Sequence, residues 1–365
     1  MVPMSRNLCF SLLWILLLYG IAVSPVPART RYLTTQEQRN AALIAAIKHN
    51  APNAVRSLLD QGADPNAEGK EFYCYDTPEL APALILALQR EDTSEMVVVN
   101  LQKSSLSYLP PKVDDRRKTA IVRALLAKGA NVNAVEHRSG CTALLLAIQN
   151  RYPESALVLL ERGADIEAQD HDGHRALMQA AGQPRIWKAL LKRGAAVNAA
   201  DRSGYTPLIQ AAAEDDNALM KALLAKGAEV NPKTNVQGTA HLSALDRSLV
   251  NGNVEAVRTL LHYGADTLHQ SDEETASQLS MAVEQPVLLK LLLAQGWKVH
   301  LADESGYTAL MYAALIGKVA SLKILLAAGA DVNGQTITGI TALSLAKRAE
   351  KPDVVALLRQ AGAKE

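Results

Sequence analysis

Aromatic side chains are scarce in this chain. They make up 4% of 365 residues, with only two Phe, against 48% hydrophobic residues overall. Such a composition builds a core of Ala, Leu, Val and Ile, which suits thin layers of small helices. Cysteine is nearly absent: of three, Cys9 falls in an N-terminal apolar run, leaving Cys74 and Cys141. Two thiols do not make a disulfide framework, so the fold stands on packing. An excess of one charge is missing too, with 38 Lys+Arg against 37 Asp+Glu and no block of like charge. That excludes the electrostatic footprint of a nucleic-acid binder. There is no Gly-x-Ser-x-Gly elbow, phosphate loop, His-Glu-x-x-His or Cys-x-x-Cys. Neither an enzyme nor a cofactor is expected.

The long apolar run lies at the start. Arg6 precedes Leu8–Val23, Pro25 and Pro27 break the run, and Val26-Pro27-Ala28 places a small residue before Arg29. This pattern is that of a secretory signal peptide, residues 1–28, cleaved after Ala28. An uncleaved anchor is the alternative, although the run is short for the ~20 residues of a bilayer span. The expected location is outside the cytoplasm: periplasmic in a Gram-negative bacterium, otherwise secreted. A short linker, 29–35, leads to the rest.

From residue 36 to 365 one tripeptide keeps returning. It stands as Gly62-Ala63-Asp64, Gly129-Ala130-Asn131, Gly163-Ala164-Asp165, Gly264-Ala265-Asp266 and Gly329-Ala330-Asp331, with near-copies at Gly194, Gly227 and Gly362 and a weaker one at Gly296. From Gly129 the glycine spacings are 34, 31, 33, 37, 32, 33 and 33. A period near 33 means stacked supersecondary units. Within 201–231, Asp201–Gly204 forms a turn, Thr206 caps a helix and Pro207 suits its first position. Leu208, Ala211 and Ala212 give that helix one apolar face, and Leu219–Leu224 form a second helix ended by Gly227.

The pattern Asp-x-x-Gly-x-Thr-Pro-Leu, an Ala-Ala helix, Leu-Leu and Gly-Ala-Asp-Val-Asn resembles the ankyrin repeat. Thr142-Ala143-Leu144, Thr206-Pro207-Leu208, Thr308-Ala309-Leu310 and Thr341-Ala342-Leu343 stand at the family's Thr-Pro-Leu-His site. The resemblance implies an all-α repeat solenoid, an ankyrin-like stack of about nine helix-turn-helix units joined by hairpin-like fingers. Departures are clear. The family's His is Leu145, Ile209, Met311 or Ser344 here, which removes its imidazole bonds between repeats. Arg175-Ala176-Leu177 replaces Thr-Pro-Leu in the fourth unit. The unit ending at Gly296 lacks the turn glycine, and Trp297 replaces Ala. Extra residues lie around Val236–Leu242. Glu91–Arg117 carries no repeat signature and is expected as an insertion between the helices of the second unit, Pro82–Gln89 and Lys118–Lys128. Cys74 and Cys141 fall in neighbouring fingers by phase, which makes pairing conceivable.

The resemblance also implies a protein partner held on the concave finger and helix surface, with no nucleic acid and no membrane beyond the signal segment. The implied contact positions are the residues flanking each turn glycine: Arg138, Ser139 and Cys141; His171, Asp172 and His174; Arg202, Ser203 and Tyr205; Glu304, Ser305 and Tyr307. His171, Asp172 and His174 beside Asp170 have the residue types of a zinc site, but by phase they form a finger turn, and no metal is expected there. The expected function is an exported protein-binding scaffold. The alternative is an immunity-type or inhibitor protein that neutralises a toxin or enzyme outside the cytoplasm.

Overall fold

The computed structural model describes residues 34–70, 80–89, 115–234, 242–266 and 272–364. Among them, eighteen helices form nine consecutive pairs. They are α1 (Thr35–Lys48) and α2 (Pro52–Asp60); α3 (Ala83–Leu88) and α4 (Asp115–Ala127); α5 (Ala143–Gln149) and α6 (Pro153–Glu161); α7 (Ala176–Gln179) and α8 (Pro184–Lys192); α9 (Pro207–Ala213) and α10 (Asn217–Ala225); α11 (Ala244–Val250) and α12 (Val254–His262); α13 (Asp272–Ala282) and α14 (Pro286–Ala294); α15 (Ala309–Ile316) and α16 (Val319–Ala327); α17 (Ala342–Arg348) and α18 (Pro352–Gln360). Each first helix packs on the next first helix, and each second helix on the next second helix. The chain is therefore an all-α repeat solenoid, as its period requires.

Local chemistry sets the boundaries. The hydroxyls of Thr142, Thr206, Thr308 and Thr341 each accept from the backbone N–H three residues on, capping α5, α9, α15 and α17. Arg175 has no such cap, and α7 is only four residues long. The second helices α2, α6, α8, α14 and α18 begin at proline, where a missing N–H costs nothing. Their ends follow one scheme. Gly227 sits at φ +83°, its N–H bonds Leu224 O at 3.0 Å, and Ala228 N–H bonds Leu223 O at 3.0 Å. This paired closure satisfies the last carbonyls and buries the Ala after Gly62, Gly129, Gly163, Gly194, Gly227 and Gly264. In the seventh pair Trp297 takes the Ala place, stays buried and still bonds Leu292 O. Without a turn glycine upstream, α13 starts at Asp272, ahead of the Thr275 that matches the capping phase.

Consecutive units are stitched by asparagine. Asn198 donates to Gly227 O and accepts from Glu229 N at 2.8 Å. Asn231 does the same with Gly264 O and Asp266 N, and Asn333 with Gly362 O and Lys364 N. Side-chain amides also tie the ends of the first helices from unit to unit. Asn150, Gln183 and Asn251 reach back to the carbonyls of Leu88, Ile148 and Ala212 in the preceding unit. Between second helices, exposed ion pairs such as Lys128–Asp60 and Lys221–Glu255 run from unit to unit. Each contributes little to stability, but together they neutralise that face locally.

Two expected boundaries shift. Thr34 caps α1 in a reciprocal box with Glu37, so the stack begins inside the expected 29–35 linker. The expected insertion at 91–117 ends earlier, because Asp115, Arg116 and Arg117 belong to the first turn of α4. The Asp115 carboxylate accepts from Thr119, from the Ser155 hydroxyl and from Glu154 N, which holds that turn against α6. Residues 90–114 lie outside the described residues. So do the expected signal segment 1–28 and Cys74. The finger between the first two units is a two-stranded antiparallel ribbon at its base, β1 (Glu68–Lys70) against β2 (Leu80–Pro82). Among the described residues no helix is long and apolar enough to cross a membrane.

Candidate functional site

The fingers carry the candidate residues, and one aspartate organises each of three. Asp170 Oδ1 accepts from Asp172 N and His174 N. Asp201 Oδ1 accepts from Ser203 N and Tyr205 N, and Asp303 Oδ1 from Ser305 N and Tyr307 N. These turns need glycine at their corner. Gly306 sits at φ +82°, and a Cβ there would stand 2.9 Å from both Ile337 N and Thr336 Cα. Neighbouring fingers join through their backbones: His171 N bonds Ser139 O at 2.8 Å, and Arg202 N bonds Asp172 O at 3.0 Å.

This joining brings half of the expected positions together. Arg138, Ser139, Cys141, His171, Asp172 and His174 line one open groove of about 570 Å³. Its floor is completed by residues that the finger phase did not single out: Gln89, Glu136, Leu146, Gln149, Asn150 and Asp170. Gln149 and Asn150 end α5, and Gln89 ends α3, so the groove spans three consecutive units. The signal that points to Gln89, Gln149 and Asn150 is positional, since each stands at or just past the C-terminus of a first helix.

Polar contacts in the groove run between units. Gln89 Nε2 donates to Glu136 Oε1 at 3.1 Å, and Ser139 Oγ donates to Glu136 Oε2. His171 Nδ1 meets Arg138 O at 3.1 Å. His174 Nδ1 lies 2.9 Å from Asp170 Oδ2, while its Nε2 lies 3.4 Å from Asp201 Oδ2 in the next finger. Cys141 is a free, buried thiol. Burial pushes its pKa up, and the carboxylates of Asp170 and Glu136 push the same way against hydrogen bonds from Ser139 and Gln149. Ligand atoms of Asp170, Asp172 and His174 lie within 4.8 Å of one another, close enough for a shared metal. Asp170 is already the acceptor of its own turn, the role Asp201 and Asp303 play in theirs, which accounts for the cluster without an ion.

The remaining expected positions lie elsewhere and are partly engaged. Tyr205 is half-buried against the core, and its hydroxyl accepts from Arg247 Nη2, whose guanidinium carbon stands 5.4 Å from the ring centroid. Tyr307 is also half-buried, its ring 5.6 Å from that of Tyr312. Tyr312 donates to Asp303 Oδ2 at 2.9 Å. Burial, followed by this carboxylate, raises the Tyr312 pKa. Arg202 and Glu304 are exposed finger residues, with Ser203 and Ser305 beside them.

Nine stacked helix pairs with capped fingers define a repeat protein whose surface is assembled from neighbouring units. The chain belongs to the ankyrin-repeat family: the family's profile for ankyrin repeats (three copies) matches residues 115–170, 174–271 and 279–365, and that for a single ankyrin repeat matches 38–70. The chain is 35% identical to a mouse B-cell lymphoma 3 protein homolog over 149 residues, 40% of this chain and 33% of that protein. It is 43% identical to the chicken nuclear factor NF-kappa-B p105 subunit over 63 residues, 17% of this chain and 6% of that one. It is 35% identical to an ankyrin repeat-containing protein of Treponema pallidum (strain Nichols) over 103 residues, 28% and 34% of the two chains. The match therefore takes in about a third or less of each relative. The crystal structure of the human ASB11 ankyrin repeat domain superposes with a TM-score of 0.54 at 24% identity, covering 62% of this chain and all of that one, which is a likeness of fold.

Proposed function

We propose that this chain is an exported scaffold that holds a protein partner on its finger surface, centred on the groove between the second and fourth units. The observation that carries this reading is the convergence of Arg138, Ser139, His171, Asp172 and His174 on one open groove. Repeat stacks of this family act as protein-binding surfaces, and the face formed by the second helices supports the assignment by contrast, because several of its charges are joined in ion pairs from unit to unit. Export rests on Leu8–Val23 followed by Val26-Pro27-Ala28.

Two measurements test the reading. A photo-cross-linking residue at position 138 or 172 should capture the partner in its native compartment, while the same residue at exposed Arg258 on α12 should not. Equal capture from both faces would remove the groove from the proposal. N-terminal sequencing of the mature protein should begin at Arg29; an intact Met1 on soluble cytoplasmic protein would remove export.

A further inference from the structure

We infer that the groove between the second and fourth units accepts a cationic side chain, an arginine of the bound protein. This deepens the function proposed above and rests on it. The observation behind it is an excess of acceptors. Glu136, Asp170 and Asp172 bring three carboxylates to one groove. Among the described residues neither Glu136 nor Asp172 meets a lysine or arginine nitrogen within 4 Å, although Arg138 stands exposed on the rim. His171 and His174 also face the groove, but His174 is held by Asp170 and Asp201, and His171 meets the carbonyl of Arg138.

A second, independent observation comes from Gln89. The residue is 2% exposed and lines the groove. Its Nε2 is spent on Glu136, while its Oε1 is buried with no hydrogen-bond partner. A buried acceptor left open is unfavourable, and the group that would satisfy it is a donor. Carboxylates and an open amide oxygen together call for a ligand made of donors. Guanidinium is the side chain that offers five N–H groups and a fixed positive charge in one plane. At the groove wall, burial pushes the Cys141 thiol towards its neutral form, and Asp170 and Glu136 push the same way.

The test uses the full mature chain and three capped peptides: acetyl-Gly-Arg-Gly-amide, the same peptide with citrulline, and the same with glutamate. Citrulline keeps the shape of arginine and removes its charge. Amide chemical shifts of Cys141, His174 and the Gln89 side chain should move with the arginine peptide at millimolar concentration and stay fixed with the other two. Glu136→Gln and Asp172→Asn should each weaken that response by about threefold or more. Asp172 is exposed, so its substitution tests the charge even if Glu136→Gln perturbs the finger. Equal shifts with the citrulline or glutamate peptide would overturn the cation assignment while leaving a protein-binding groove. Absence of groove shifts with all three would overturn it too, with cross-linking at position 138 judging the protein-binding role separately. Groove shifts with zinc or calcium alone, and none with the arginine peptide, would overturn it in favour of a metal site.

Discussion

Tyr205 in the fifth unit and Arg247 in the sixth are bonded to each other, the guanidinium donating to the phenol and lying over its ring. A residue expected at the partner surface is thus also a tie within the stack. Tyr205→Phe keeps the packing and removes the acceptor from an arginine whose Nε is already buried without a partner. We expect a loss of about 1 kcal/mol, measured by urea denaturation. Tyr205→Ala should cost more, because the half-buried ring goes as well. If Tyr205→Ala weakens capture of a partner with no change in stability, the ring serves recognition and the tie contributes nothing.

Leu223 is fully buried in α10, packed between neighbouring second helices. Leu223→Ala should cost about 2–5 kcal/mol. Leu223→Asp should do worse, since an unpaired charge would enter an apolar layer. Because each unit holds only its neighbours, the expected signature is a split urea transition or loss of soluble protein. A single transition at the wild-type midpoint would contradict the packing.

Asn231 closes the gap between the units that end at Gly227 and Gly264. Asn231→Ala leaves Gly264 O and Asp266 N without their side-chain partner, and we expect about 1 kcal/mol of destabilisation. Asn198→Ala should act alike one interface earlier. A change confined to the noise for both would mean that water replaces the ladder at no cost.

Cys141 sets an alkaline limit. Its pKa is raised in the folded chain, chiefly by burial, from an ordinary 9.0. As pH rises past that value the unfolded chain loses the proton first and so binds fewer protons than the native state. Stability from this group is therefore complete below the ordinary thiol range and falls as pH climbs towards the folded value. Tyr312 adds to the same trend at higher pH. Cys141→Ala should flatten the fall near the thiol range, read from urea midpoints across an alkaline series. An unchanged slope would show that the thiol does not titrate differently on folding.

Much of the architecture was legible along the chain because its causes are local. Thr206 before Pro207 and Leu208, or Gly227 before Ala228, fix a helix start and a helix stop through hydrogen bonds spanning three to five residues, and the period of these signals counts the units. The degenerate seventh unit was legible as a unit from the spacing of Gly296, but not where its first helix begins. Its helix could extend back to Asp272 because no glycine turn precedes it, and Trp297 could replace Ala because the closure uses backbone. The end of the expected insertion was misplaced by three residues, since nothing in Asp115-Arg116-Arg117 repeats; the carboxylate of Asp115 is recognised only beside Thr119 and Ser155.

The sequence by itself determined the helix pairs, the glycine turns, the small-residue core and the phase at which finger residues recur. It placed Arg138 and His171, and likewise Ser139 and Asp172, in equivalent positions, but equivalence is not proximity. Residues about one period apart meet only when units stack, through bonds such as His171 N to Ser139 O. That stacking decided which fingers share a groove, brought Gln89 and Glu136 into it from different units, turned Tyr205 towards Arg247, and gave Asn198, Asn231 and Asn333 their carbonyls in the next unit. Local interactions act within a few residues and leave their mark on the order of the chain. Contacts between side chains some thirty residues apart depend on the rotation and spacing of whole units, which packing alone sets.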